Sequence, residues 1–171
     1  MPKRWAVLAA IAGILCSQPS AREQAGPQAD GTFLLPTGWR LKPAGTQIGL
    51  DTFPMSSVLS PDGKYLLVLN AGYRPPSVSV FPVDTMKESA RVPVPNAWLG
   101  LAFAPDGSRV YVGGGAKNAI YEFGFANGTL SAGRTFEIVR GSTPGNDDFI
   151  GDATLSPDGR LIFASDLYHN A

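Results

Sequence analysis

The chain has 171 residues, of which 44% are hydrophobic and 16% charged, with 14 basic side chains balanced by 14 acidic ones. This composition reads as globular and not disordered, and the zero net charge gives no push toward nucleic acid or an anionic membrane. Twenty glycines and 15 prolines favour many short strands joined by tight turns.

The first twenty-odd residues stand apart. Lys3 and Arg4 precede an apolar run from Trp5 to Leu15, and a small, polar stretch, Cys16-Ser17-Gln18-Pro19-Ser20-Ala21, follows. The run is shorter than the ~20 residues a membrane-crossing helix needs. Its three-part build is that of a secretory signal peptide, expected over residues 1–21 with cleavage between Ser17 and Ala25; the alternative is a buried apolar helix. Cys16, the only cysteine, sits where a lipidated cysteine would, but Gly13-Ile14-Leu15 fits that signal poorly. The expectation is therefore a periplasmic or secreted protein with no disulfide and no transmembrane anchor after cleavage. Residues 22–31 read as a flexible polar lead-in, and residues 32–171 as one β domain. Phe33 to Leu50 has strand character, with Pro43-Ala44-Gly45 as its turn.

Internal repeats decide the architecture. Ser60-Pro61-Asp62-Gly63, Ala104-Pro105-Asp106-Gly107 and Ser156-Pro157-Asp158-Gly159 recur along the chain. Proline presets φ at the second turn position, aspartate bonds the backbone downstream, and glycine takes the positive-φ position. Each string is thus a tight hairpin turn, and the three aspartates read as turn formers rather than catalytic carboxylates. Around the first turn, strands are expected at Met55 to Leu59, Tyr65 to Leu69, Ser77 to Phe81 and Arg91 to Val94. Around the second they are expected at Leu99 to Phe103, Arg109 to Gly113, Ala119 to Phe125 and Arg134 to Val139, with Asn127-Gly128 as a hairpin signal. Leu161-Ile162-Phe163 follows the third turn. The run Gly113-Gly114-Gly115 reads either as a phosphate cradle or as a bend near a crowded axis.

Four-stranded units of ~40–50 residues are the blades of a β-propeller. The fold class is accordingly all-β: blades at about 51–95 and 96–140, and a third at 149–171 truncated after two strands. A propeller closes with ~4–8 blades, so the chain is expected to be a fragment, about two and a half blades of a seven-bladed ring.

The stretches Ser60-Pro-Asp-Gly-Lys-Tyr-Leu-Leu-Val-Leu-Asn70 and Trp98-Leu-Gly-Leu-Ala-Phe-Ala-Pro-Asp-Gly107 resemble the YVTN-type, WD40-like repeats of exported bacterial propellers, a group that includes lactonase-like propellers. Leu34-Leu35-Pro36-Thr37-Gly38-Trp39-Arg40 with Pro43-Ala44-Gly45 is similar to the start of a narrower subgroup. There an N-terminal propeller is followed by a phosphoesterase domain of the alkaline-phosphatase superfamily. The resemblance spans about Gly31 to Asn170. It implies a parent hydrolase that uses a divalent metal, with no cofactor in this segment.

Loops between second and third strands, and loops between blades, lie on one face of such a fold. That face gathers Tyr73, Arg74, Trp98, Lys117, Asn118, Asp147, Asp148, Asp166, Tyr168 and His169, the candidate binding residues. Asp147-Asp148 is the best acidic pair, read either as a metal ligand pair or as a solvated loop. His169 is the only histidine, no Gly-x-Ser-x-Gly motif occurs, and Trp98 suits either a pocket or the packing between blades. No catalytic or metal-binding residue is assigned. Three functions follow: a non-catalytic scaffold that binds a small molecule or a C-terminal domain of the same protein, the propeller half of an exported phosphoesterase, and a lactonase-like propeller hydrolase.

Overall fold

The computed structural model describes residues 23–138 and 148–168. Val139, Asp147 and His169 lie outside the described residues, as does the expected signal peptide. The chain divides into two compact units, residues 1–47 and 48–171.

The first unit holds a small antiparallel meander of β1 (Gly26–Pro27), β2 (Phe33–Leu34) and β3 (Arg40–Leu41). β1 lies inside the polar stretch 22–31 and pairs Gly26 with Leu34. The turn between β2 and β3 is Pro36-Thr37-Gly38, closed by Gly38 N donating to Leu35 O at 2.9 Å, not Pro43-Ala44-Gly45. A proline followed two residues later by glycine suits a chain reversal at either place. Only the first is flanked by residues that pair, Leu34 with Arg40. Arg40 ties the meander together through ion pairs to Glu23 and Asp30.

Every regular element among the described residues of the second unit is a strand. β4 (Pro54–Leu59), β5 (Tyr65–Asn70), β6 (Ser77–Pro82) and β7 (Ala90–Pro93) form one antiparallel sheet in chain order. β8 (Leu101–Phe103), β9 (Arg109–Gly113), β10 (Ala119–Ala126) and β11 (Thr129–Glu137) form a second, and β12 (Ile150–Leu155) and β13 (Ile162–Asp166) a third. This is the partial β-propeller expected.

Two strand starts differ from the expected ones by more than one residue, each for a local reason. β11 starts at Thr129 instead of Arg134, because Asn127 (φ 49°) and Gly128 (φ 78°) make a two-residue hairpin turn that pairs Ala126 with Thr129 at once. β8 starts at Leu101 instead of Leu99, because Leu99 N is spent on Gly151 O of the third sheet.

The three turn strings fold as read. Gly63, Gly107 and Gly159 have φ of 71°, 72° and 69°, and each closes onto the residue three back at 2.8–2.9 Å. Asp62 Oδ1 accepts from Ser60 Oγ (2.6 Å) and Lys64 N (3.1 Å), and Asp158 repeats this with Ser156 and Arg160. In the second copy alanine replaces the serine, and Ser108 supplies both its N–H and its hydroxyl to Asp106. Successive turns also touch: a Cβ on Gly107 would meet Pro61 at 3.5 Å, and one on Gly159 would meet Pro105 at 3.0 Å.

These bonds favour the charged carboxylates. The Ser60 hydroxyl holds Asp62 below the usual range, the Ser108 N–H does so for Asp106, and the Ser156 hydroxyl for Asp158. A folded-state pKa below the unfolded value gives stability that is present above the unfolded value of about 3.9. That stability is lost as pH falls through the folded value. The urea midpoint is therefore expected to drop below about pH 4, and replacing all three aspartates by asparagine should shallow that drop. An unchanged slope would show that the turn carboxylates are not involved.

Sheet packing explains why β9 reads as a near-continuous apolar run. Leu67, Leu69, Val78 and Val80 of the first sheet share one core with Val110, Val112, Tyr121, Phe123 and Leu130 of the second. Tyr111 and Ile120 point to the other side and join Ile150 and Ala153 of the third sheet. The middle sheet is thus covered on both faces, and alternation gives way to uniform hydrophobicity. One charge is buried on its second face: Glu122, 8% exposed, accepts from Tyr111 Oη (3.0 Å) and from Arg134 (3.1 Å), with Arg109 at 3.6 Å. The Arg134 guanidinium, then the Tyr111 hydroxyl, hold its carboxyl below the usual range against the effect of burial.

Candidate functional site

The strand order puts the three Pro-Asp-Gly turns at one end of the sheets. The connections β5–β6, β7–β8, β9–β10 and β11–β12 leave from the other end. Every candidate binding residue among the described residues lies at that second end, but only some come together.

Ala116, Asn118, Asp148, Phe149 and Tyr168 line a cavity of about 240 Å3. Its parts arrive from three places: the β9–β10 loop, the residues just before β12, and the residues just after β13. Asp166, at the end of β13 and 6% exposed, holds the last two together. Its Oδ1 accepts from Phe149 N at 3.2 Å and Tyr168 N at 3.1 Å. This carboxylate is a positioning group for the two rings.

Asn118 sits at φ 48°, a left-handed conformation that asparagine tolerates better than most residues. Its N–H donates to Gly115 O (3.2 Å) and its carbonyl accepts from Ile138 N (2.8 Å). Its side-chain Oδ1 is buried with no hydrogen-bond partner among the described residues. Asp148 is 6% exposed. Phe149 lies edge-on to Trp98 (5.5 Å, 85°) and steeply to Tyr168 (5.6 Å, 65°). Trp98 therefore reaches the site through Phe149.

The other candidates lie apart. Tyr73 is fully exposed. Arg74 faces Asp51 at 3.7 Å, a carboxylate that also pairs with Arg91. Lys117 is exposed, and its N–H donates to Gly114 O at 3.0 Å. Asp147 and His169 lie outside the described residues. Sequence reasoning missed Phe149 as a wall of the cavity. It also missed Phe53, which is 62% exposed at φ 54°. Phe53 and Phe149 are equivalent, since each lies eight residues before its turn proline. Each carbonyl also accepts from the residue just after the second strand, Ala71 N and Leu167 N. That register was available from the repeat.

The glycine run is not an anion cradle. Gly113 N donates to Gly100 O (3.0 Å) and Gly114 N to Ala119 O (2.8 Å), so two of the three amides of the run are already occupied. A larger cleft of about 440 Å3 lies among the turns, with Asp62 and Asp106 on its walls. Their Oδ1 atoms are committed to the turns, which leaves that cleft a seam between blades. No group of three His, Cys, Asp or Glu side chains among the described residues could hold a metal ion.

No family model matches the chain, and no curated protein matches it. Solved structures do. The periplasmic gluconolactonase PpgL of Pseudomonas aeruginosa is 26% identical over 66% of this chain and 33% of its own, with a TM-score of 0.54. A putative 6-phosphogluconolactonase from Bacteroides uniformis is 22% identical over 79% and 43%, with a TM-score of 0.56. Hydrazine synthase of Kuenenia stuttgartiensis is 22% identical over 71% and 32%, with a TM-score of 0.55. The likeness is to β-propellers and agrees with the sheets described above. The chain spans about a third to two fifths of the length of these structures.

Proposed function

We propose that the chain is a ligand-binding, non-catalytic segment of a β-propeller in an exported protein, and that it holds a small molecule in the cavity of Asn118, Asp148, Phe149 and Tyr168. The convergence of three separate connections on that cavity, backed by the Asp166 carboxylate, supports the reading. A site assembled from fixed backbone and steep aromatic walls suits orientation of a ligand. Acid–base or nucleophilic turnover asks for several groups in mutual hydrogen-bond reach, and the Asp166 carboxylate is spent on holding the loops. Export is supported by Lys3-Arg4 and the apolar run that follows.

The parent is proposed to be a phosphoesterase-type hydrolase, on the resemblance of residues 34–45. The described residues do not fit its divalent metal, and no step of that reaction is assigned to them. A lactonase-like hydrolase is the second reading, favoured by the 26% identity with the gluconolactonase.

The test is a small-molecule screen of the 171-residue chain by amide shift mapping. It runs beside hydrolysis assays with an aryl phosphate ester and a simple lactone in added divalent metal. Shifts confined to residues 116–118, 148–149 and 168 without turnover are expected. Lactone turnover abolished by Asp148→Asn would select the second reading. Shifts confined to the turn cleft would overturn both.

A further inference from the structure

We infer that the first and third sheets carry the two halves of one docking contact, through which a second copy of this chain sets its third sheet on the first sheet of its neighbour. Each sheet has two sides, and the repeat shows what each side fits. Leu67, Tyr111 and Phe163 each lie six residues after a turn proline. Leu67 is buried in the core shared with the second sheet, and Tyr111 in the cluster shared with the third. This is the leading side. Phe163 is its third member and is 56% exposed, beside the exposed Thr154 with which it pairs. The trailing side holds the residues five and seven after each proline. Val110 and Val112 face the first sheet from the second, and Ile162 and Ala164 face the second from the third. Leu66 and Val68 hold the same places in the first sheet and belong to neither core. With Ile48, Leu50, Met55 and Ser57 they line a cleft of about 460 Å3.

The turns supply an independent observation. Pro61 approaches Gly107 and Pro105 approaches Gly159, whereas a Cβ on Gly63 would meet nothing within 4 Å among the described residues. The place that receives a proline in the second and third repeats is therefore open in the first. Pro157 holds the repeat position of the proline that fits there. The open cleft and the open glycine thus belong to the first sheet, and the groups that match them, Phe163 and Pro157, belong to the third. The second junction is a guide to the fit, since aromatic Tyr111 already packs with Ile162 and Ala164, and Phe163 differs from it only by the hydroxyl. Covering Leu66 and Phe163 removes apolar surface from water, which favours association. Two different patches meet, so the contact is heterologous and builds rings or open chains of copies.

The experiment is sedimentation of the full chain over a dilution series, with two exposed residues changed singly to arginine. Ser57→Arg places a charge in the trailing cleft, and Phe163→Arg removes the leading ring; both positions are exposed. The parent is expected to grow beyond the monomer as concentration rises. An unpaired charge is costly to bury, so each variant alone should associate at least about tenfold more weakly. An equimolar mixture of the two variants should form a dimer and stop there, because the Ser57 variant keeps its leading side and the Phe163 variant its trailing side. The apolar run Trp5 to Leu15 is common to all three chains, so association through it would survive both substitutions. Should the Phe163 variant fail to fold, Thr154→Arg takes its place. A parent that stays monomeric throughout overturns the inference, as does either variant associating like the parent or a mixture that yields no dimer.

Discussion

Replacing Leu67 with alanine is expected to destabilise the second unit by about 3 kcal/mol, the usual size for a leucine deleted from a closed core. Leu67 lies mid-strand in β5, is fully buried, and belongs to the core shared by the first and second sheets. It pairs with Val58 on one side and Val80 on the other. Neighbours held in two sheet ladders cannot collapse into the space it leaves, so the cavity persists and its cost adds to the lost transfer energy. Urea denaturation followed by pulse proteolysis at low protein concentration measures the change. The slope should stay constant while the midpoint falls. Leu161, 58% exposed beside the third turn, is the control, and its alanine variant should stay within about 0.5 kcal/mol of the parent. A Leu67 variant that behaves like the Leu161 variant would mean that the first two sheets do not share a core.

Gly100→Ala is the second large effect, expected at about 2–3 kcal/mol from overpacking. A Cβ there would lie 2.8 Å from Ala153 N, 3.0 Å from Gly113 N and 3.1 Å from Gly113 Cα. All three are backbone atoms, so no side chain can swing aside. The strain falls on the bond that joins the second and third sheets, Leu99 N to Gly151 O, and on the neighbouring bond within the second sheet, Gly113 N to Gly100 O, both 3.0 Å. Hydrogen exchange should accordingly show protection lost first in β12 and least in β5. Gly49→Ala, where nothing lies within 4 Å and φ is unremarkable, should be neutral. Uniform loss of protection across all three sheets would contradict this placement of the strain.

The legible parts of this protein are those where the backbone dictates residue type. The Pro-Asp-Gly strings announced their turns because few other residues satisfy the same φ values and bonds. The run at Arg109 to Gly113 announced a strand covered on both faces. Thr129 to Ser131 escaped notice, since β11 is almost wholly solvent-facing and its polar residues look like loop. Its pairing is set by the Asn127-Gly128 turn before it.

The rim was legible as a region and not as a site. Strand counting sends Asn118, Asp148, Asp166 and Tyr168 to one end, along with Tyr73, Arg74 and Lys117. It does not say which loops converge. The bond from Asp166 to the Phe149 and Tyr168 amides depends on side-chain direction, and so do the unmet Asn118 oxygen and the cluster of Glu122 with Tyr111 and Arg134. None of these has a sequence period.

The closeness of Pro61 to Gly107, where an added Cβ would lie 3.5 Å from the ring, and of Pro105 to Gly159, where it would lie 3.0 Å away, bears on how such a chain arises. Each repeat carries both halves of the contact, a ring that projects toward the next copy and a bare backbone that receives one from the copy before. The contact is head-to-tail, between two different patches of the same unit. A tandem duplication of one blade therefore creates a matched junction at the moment it occurs, with no compensating change needed elsewhere. Selection can then act on the loops at the opposite end, copy by copy. This accounts for a motif that barely varies at one end of the sheets and for unrelated residues, Tyr73, Lys117 and Tyr168, in the loops of the three copies at the other.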